Sequence, residues 1–83
     1  MEISQNLLDK YHIADLQTYI NLSGGNESEG LKTLYQTFLI QTDYIPNKII
    51  EAQTLGETLD EDYMEVLQAR KFAREQISNL NLA

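Results

Sequence analysis

The sequence predicts an all-α fold, a small bundle of four or five helices that ends in a C-terminal helical hairpin. Three observations carry this prediction. Apolar residues recur at three- and four-residue spacings, which is the period of a helix. The chain has only one proline and four glycines, so few residues interrupt that period. Its 83 residues correspond to one domain, and we expect residues 1–83 to fold as a single helical unit.

The first segment, residues 4–22, is predicted to contain two short helices. Ser4 can cap the first helix by accepting a hydrogen bond from a free amide of the first turn. Two apolar stripes occupy the segment, Leu7–Leu8–Tyr11 and Ile13–Leu16–Tyr19–Ile20. Because the stripes do not merge at His12, we expect a break there, with a single kinked helix as the alternative.

A loop and a long amphipathic helix follow. Gly24 or Gly25 can adopt the left-handed conformation that closes a helix. Asn26 or Ser28 can then cap the next helix. That helix should carry much of the core, because one face contains Leu31, Leu34, Tyr35, Phe38, Leu39 and Thr42, with Ile40 away from it.

Two more helices are predicted in the second half of the chain. Asp43 can cap the first of them, Pro46 suits its first turn, and Gly56 ends it. Asp60 is the expected cap of the last helix, whose apolar positions are Tyr63, Val66, Leu67, Ala73, Ile77 and Leu80. A chain reversal at Gly56 would pack these two helices as a hairpin.

The only basic cluster in the sequence consists of Arg70, Lys71 and Arg74 on the last helix. Cations toward a helix C-terminus complement the helix dipole, and this explanation needs no partner. The alternative is a grip on a partner protein, and Arg70, Lys71, Arg74 and Tyr63 are then the candidate contact residues. Arg70 or Arg74 is also expected to reach Glu51 or Asp43 across the hairpin.

Net charge sets limits on the class of partner. The formal net charge is −7, with six acids and two bases in residues 1–43 and seven acids and four bases in residues 44–83. Binding to nucleic acid needs a basic surface that neutralises phosphates. Adsorption to an anionic membrane needs the same. We therefore expect no nucleic-acid and no membrane partner, whereas a basic protein partner remains open.

Residue types suited to catalysis or metal binding are sparse. The chain has no cysteine, which excludes disulfides and thiolate ligands. His12 has Asp9 and Asp15 three residues to either side, which suggests a proton-transfer pair, but a polar residue at a helix break explains it better. The acids from Asp60 onward fail the calcium-loop spacing, since Lys71 occupies the twelfth position. We expect no enzyme, no cofactor and no metal site.

The second half of the chain also resembles a known group of proteins. Its matching elements are Thr42-Asp43-Tyr44, Lys48, Glu51-Ala52, Leu55-Gly56-Glu57 and Leu67-x-Ala69-Arg70-x-x-Ala73-Arg74-x-x-Ile77. This pattern resembles small, uncharacterised proteins encoded in phages and prophages of Gram-positive bacteria, over 36 of the 83 residues. Pro46 and the acidic start of the last helix depart from the group. The resemblance implies a phage-related origin and a role near tail or particle assembly.

The functional expectation is therefore a non-catalytic protein–protein interaction module, an accessory in phage or prophage tail or particle assembly. The alternative is an acidic inhibitor that mimics nucleic acid and blocks a host nuclease or DNA-binding protein. A helix-turn-helix DNA binder would need a basic recognition helix, and the last helix begins with acids instead. The sequence has no signal peptide, so we expect a location in the cytoplasm of a bacterial host, with the virion as the alternative. The partner's identity and a homo-oligomeric state stay open.

Overall fold

The computed structural model describes residues 3–59 and 63–82, and within these ranges the regular structure is entirely helical. Five helices follow one another: α1 (Gln5–Lys10), α2 (Leu16–Leu22), α3 (Glu27–Gln41), α4 (Tyr44–Leu55) and α5 (Met64–Leu82). The all-α prediction is confirmed. The expected Asp60 cap lies outside the described residues.

The predicted break near His12 separates α1 from α2. The Ser4 hydroxyl caps α1 by accepting a hydrogen bond from the Leu7 amide at 3.3 Å. His12 adopts a left-handed backbone conformation with φ 61°, which stops the helix. Asp15 then starts α2, because its carboxylate accepts hydrogen bonds from the Thr18 amide at 2.9 Å and the Thr18 hydroxyl at 2.6 Å. The prediction of two helices is therefore confirmed, whereas the sequence analysis did not predict the Asp15 cap.

The turn between α2 and α3 depends on two glycines. Gly24 and Gly25 both have positive φ, 69° and 87°, a conformation that side-chain-bearing residues rarely adopt. Of the two predicted caps for α3, Asn26 is the one used, since its side chain accepts from the Glu29 amide at 3.0 Å. Glu29 also adds negative charge near the positive end of the helix dipole.

Close approach between α2 and α3 depends on Gly30, which is buried. A Cβ atom at this position would lie 2.6 Å from Ile20 Cγ1 and 2.8 Å from the Ile20 Cα and N atoms. Glycine is therefore the residue that lets the two backbones meet. The pair α2 and α3 is one of the two most closely packed helix pairs, and α3 and α5 form the other.

The core lies along the apolar stripe of α3. Phe38 and Ile45 have no exposed surface, and Tyr11 meets Phe38 edge to face with ring centroids 6.4 Å apart. The buried cluster consists of Leu7, Leu8, Tyr11, Ile13, Tyr19, Leu34, Phe38, Ile45, Tyr63, Val66, Ala69 and Ala73. The predicted stripe of α3 is buried or half-buried throughout, and Ile40 is 75% exposed as expected.

Helix α5 runs antiparallel to α3. Arg70 contacts the C-terminal end of α3 at Leu39, and Phe72 meets Tyr35 one turn earlier with ring centroids 5.8 Å apart. A hydrogen bond from the Ser4 hydroxyl to the Glu65 carboxylate at 3.2 Å links the start of the chain to the first turn of α5. Helix α3 is therefore packed on two sides, by α2 and by α5.

Helix α4 has a different position, since it belongs to neither closely packed pair. Pro46 lies in its first turn and Gly56 ends it with φ 67°, both as predicted. The molecule is elongated, with principal extents of 47 × 26 × 19 Å and a radius of gyration of 14.3 Å. A compact chain of this length would have a radius of about 12 Å.

Asp43 does not act as the predicted side-chain cap of α4. It precedes the helix, but its backbone is already helical, with φ −64° and ψ −24°, and its carboxylate makes no capping hydrogen bond. A capping side chain needs an extended backbone to reach back over the first amides. The Asp43 carboxylate lies instead 3.4 Å from the Arg70 guanidinium.

Candidate interaction surface

The buried guanidinium of Arg70 ties α5 to the C-terminal end of α3. Arg70 Nη1 donates to the Leu39 carbonyl at 2.8 Å and to Thr42 Oγ1 at 2.7 Å, and Nη2 contacts Asp43 Oδ1 at 3.4 Å. Thr42 is fully buried, and its hydroxyl donates in turn to the Phe38 carbonyl at 2.7 Å. The last carbonyls of a helix lack amide partners of their own, so Arg70 satisfies one of them with a charged donor. The predicted link between Arg70 and Asp43 is present.

The four candidate partner-contact residues divide into two buried and two exposed. Arg70 is 8% exposed and Tyr63 is 7% exposed. Tyr63 is also held by Lys48, whose Nζ lies 3.2 Å from the Tyr63 hydroxyl and 5.6 Å from its ring centre. Lys71 and Arg74 are exposed. The role of these residues in binding stays a prediction, and the two exposed cations are the ones with free surface to offer.

His12 is exposed at the break between α1 and α2. Both carboxylates that flank it in sequence have other partners. Asp9 accepts a hydrogen bond from the Gln5 amide side chain at 2.9 Å, and Asp15 is engaged with Thr18. The two bonds from Thr18, first the one from its hydroxyl and then the one from its amide, lower the pKa of Asp15. The surroundings of His12 therefore agree with a polar residue at a helix break.

The Tyr11 hydroxyl is buried without a hydrogen-bond partner among the described residues. Burial is the main cause that raises the pKa of this hydroxyl, followed by the proximity of Tyr44 and Tyr63. The Tyr11 ring, with the side chains of Lys10, His12, Gln41 and Tyr44, lines an open depression of about 310 Å³. A buried hydroxyl without a partner costs free energy, so Tyr11 is a site of reduced stability.

Helix α4 turns several large apolar side chains toward solvent. Tyr44 is 54% exposed, Ile50 59% and Leu55 61%, whereas Ile45 and Ala52 on the opposite side are buried. We call the solvent-facing side the α4 outer face; it consists of Tyr44, Asn47, Ile50, Glu51, Thr54 and Leu55, all exposed.

The sequence analysis did not predict the α4 outer face, because it assigned no side of this helix to solvent. The signal was present in the spacing. Ile45, Ile49 and Ala52 follow the i, i+4, i+7 pattern of one buried face, and Ile50 falls outside that pattern.

A cluster of metal-ligating side chains and a membrane-spanning helix are both absent from residues 3–59 and 63–82. No group of three or more histidine, aspartate or glutamate side chains is placed to hold a metal ion. Among the same residues, no helix is both long enough and apolar enough to span a bilayer.

Comparison with known proteins adds no assignment. No family model, no curated protein and no solved structure matches this chain.

Proposed function

We propose that this protein is a non-catalytic protein–protein interaction module, an accessory in the assembly of a phage or prophage tail or particle. The observation that carries the proposal is the concentration of exposed apolar side chains on α4. Three of the six large hydrophobic residues that are exposed among the described residues, Tyr44, Ile50 and Leu55, lie on this one helix.

Burial of these apolar side chains against a partner would stabilise a complex. Removing apolar surface from water contributes about 25 cal/mol per Å². Apolar side chains scattered singly over a surface are ordinary, whereas a group of them on one face marks an interaction site. Leu22 and Ile40 are examples of the scattered kind, each the single large exposed hydrophobic of its helix.

The arrangement of α4 and α5 as a C-terminal helical hairpin belongs to the same proposal. The contact of Lys48 with Tyr63 supports it, because it joins the middle of α4 to the residue that precedes α5. In such a hairpin α5 anchors the unit to α3 through Arg70, and α4 presents its outer face. The phage context rests on the resemblance over residues 42–77, which span both helices.

Reconstitution with purified components tests the proposal. The tagged chain is used to recover proteins from the bacterial host that carries the phage or prophage, and each candidate is purified and titrated against it by calorimetry. A stoichiometric complex with a tail or particle protein, with Kd in the micromolar range or below, is the expected result. Turnover of a small molecule, or failure of every purified protein to bind below a Kd of about 1 mM, would contradict the proposal.

The acidic-inhibitor alternative is favoured by the net charge of −7. A mimic of nucleic acid needs its negative charges along one continuous face. The same titrations decide between the two, because an inhibitor would bind a nuclease or a DNA-binding protein and would be displaced by duplex DNA. A complex with a particle protein that is indifferent to DNA excludes the inhibitor.

A further inference from the structure

The geometry points to the α4 outer face as the docking surface for a basic protein segment that carries apolar side chains between its lysines and arginines. This inference rests on the proposed function and adds the location of the surface and the chemistry of its occupant.

The first step is geometric. Glu51 and Leu55 lie about 20° to either side of Tyr44 around the axis of α4, so they are about 40° apart, given 3.6 residues per turn. Ile50 lies about 100° from Glu51 on the same solvent side. The inward positions are occupied by Ile45 and Ala52, which are 0% and 5% exposed. The outer face is therefore continuous from Ile50 to Leu55, with polar side chains between the apolar ones.

The second step concerns packing. Helix α4 belongs to neither of the two most closely packed helix pairs, α2 with α3 and α3 with α5. It is therefore not held between two other helices. A partner helix or strand can approach it from solvent. Leu22 on α2 and Ile40 on α3 are exposed as well, but each is the single large exposed hydrophobic residue of its helix.

The third step is charge. From Ile49 to Ala69 the sequence contains six acidic residues and no lysine, arginine or histidine. Glu51, Glu57 and Glu65 are exposed; Glu51 lies on the outer face and Glu57 just after α4. The nearest base before them, Lys48, is held against Tyr63. The C-terminal end of a helix adds partial negative charge of its own.

Apolar contact area next to this excess of negative charge determines the occupant. A nucleic acid or an anionic membrane surface would be repelled. A second copy of this chain would bring the same acids against the face. A lysine- or arginine-rich segment with leucine or isoleucine side chains at helical spacing satisfies both the charge and the apolar surface.

The chain offers matched control variants for the test. Ile50→Lys on the outer face is compared with Ile40→Lys on α3, where an isoleucine is exposed to a similar extent, 59% against 75%. Leu55→Lys is compared with Leu22→Lys, which are 61% and 78% exposed in the wild type. Each substitution changes the net charge by the same amount, so a difference within a pair reports position rather than charge. Circular dichroism verifies that each variant keeps its helical signal.

The probe is a synthetic amphipathic peptide of lysine and leucine at helical spacing, and its counterpart has glutamate in place of lysine. Fluorescence anisotropy measures Kd at low and at high salt. We expect the lysine peptide to bind, the glutamate peptide not to bind, and affinity to fall with salt. Ile50→Lys and Leu55→Lys should weaken binding about tenfold or more, a loss of about 1.4 kcal/mol, and their controls less than threefold.

Five results would overturn the inference. Equal losses within each matched pair would show charge attraction without a defined site. Equal binding of the two peptides would exclude a basic occupant. Peptide-induced NMR shifts centred on Lys71 and Arg74 would move the site to α5, and a dimer lost on Ile50→Lys would make a second copy the occupant. If the reconstituted protein partner binds all four variants equally, this surface is wrong while the proposed function stands.

Discussion

Gly30→Ala provides the sharpest test of the packing, because two physical effects oppose each other at this position. Alanine is the better helix former, and an exposed glycine-to-alanine change inside a helix gains about 1 kcal/mol. At Gly30 the added Cβ would lie 2.8 Å from the Ile20 backbone, where ordinary contacts are 3.4–4 Å. A rotamer change of Ile20 relieves the contact at Cγ1 but not the contacts at Cα and N. Helix α2 must therefore move away from α3.

The expected result is a net loss of stability. Overpacking a buried contact costs about 1–3 kcal/mol, and here the contact is with backbone, so the upper part of that range applies before the propensity gain is subtracted. We expect the free energy of unfolding to fall by about 1–2 kcal/mol, with Tm lower by roughly 4–16 °C in a chain of this size. The loss is a sizeable fraction of a typical total of about 5–15 kcal/mol.

Urea unfolding followed by circular dichroism at 222 nm measures this change. Ser28→Ala is the control, since it lies in the same helix, is exposed and tests propensity alone. In a double-mutant cycle, the cost of Gly30→Ala should be only partly smaller in the Ile20→Ala background, because the Cα and N contacts remain. If Gly30→Ala raised stability by the propensity amount, the close approach of α2 and α3 would be refuted.

Three further predictions concern single side chains. Arg70→Ala removes a charged donor from the Leu39 carbonyl and from the buried Thr42 hydroxyl, and it should lower the free energy of unfolding by about 2–3 kcal/mol. The exposed Arg74→Ala should change the free energy of unfolding by less than about 0.5 kcal/mol, and equal effects in urea unfolding would disprove the capping role. Tyr11→Phe removes the hydroxyl without a partner and should raise stability by about 1 kcal/mol. The pKa of Tyr11 is raised in the folded state, so the folded state holds the proton more tightly than the unfolded state does. The stability of the wild type should therefore fall as pH rises above about 10, and Tyr11→Phe should lose less stability over the same range. Identical alkaline profiles of the two proteins would contradict this. The pKa of Asp15 is lower in the folded state than in the unfolded state. Its contribution to stability is therefore present above the unfolded pKa and is lost as pH falls through the folded pKa. Thermal unfolding of Asp15→Ala should be less sensitive to acid than that of the wild type, and an unchanged pH profile would count against the cap.

Local chemistry accounts for the parts of the fold that the sequence predicts well. Ser4 and Asn26 cap their helices, Gly56 ends α4 in a left-handed conformation, and the stripe around Phe38 forms the core. The break at His12 is visible because two apolar stripes point in different directions. These signals act over three to eight residues, so they can be read before any tertiary contact is known.

For the candidate site the sequence predicts less. Its candidate contact residues lie on α5 or directly before it, and the structure buries two of them, Arg70 and Tyr63. From the sequence alone, an arginine side chain is expected at the surface. In the structure Arg70 donates hydrogen bonds to a carbonyl at the end of α3 and to the Thr42 hydroxyl, and these bonds allow its burial. The spacing on α4 separates Ile50 from the buried Ile45, but only the tertiary structure determines that Ile50 is 59% exposed.

The sequence by itself determined that the chain is helical, that Ser4 caps α1 and Gly56 ends α4, and that the net charge is −7. These properties depend on backbone preferences, short-range capping and summed charge, which need no knowledge of distant neighbours. Only the tertiary structure decided that α2 meets α3 at Gly30, that Arg70 caps α3, and that the α4 outer face stays exposed. Each of these depends on which helix passes beside which, over separations of up to 31 residues, as between Leu39 and Arg70. Side-chain spacing within one helix carries no information about such a pairing.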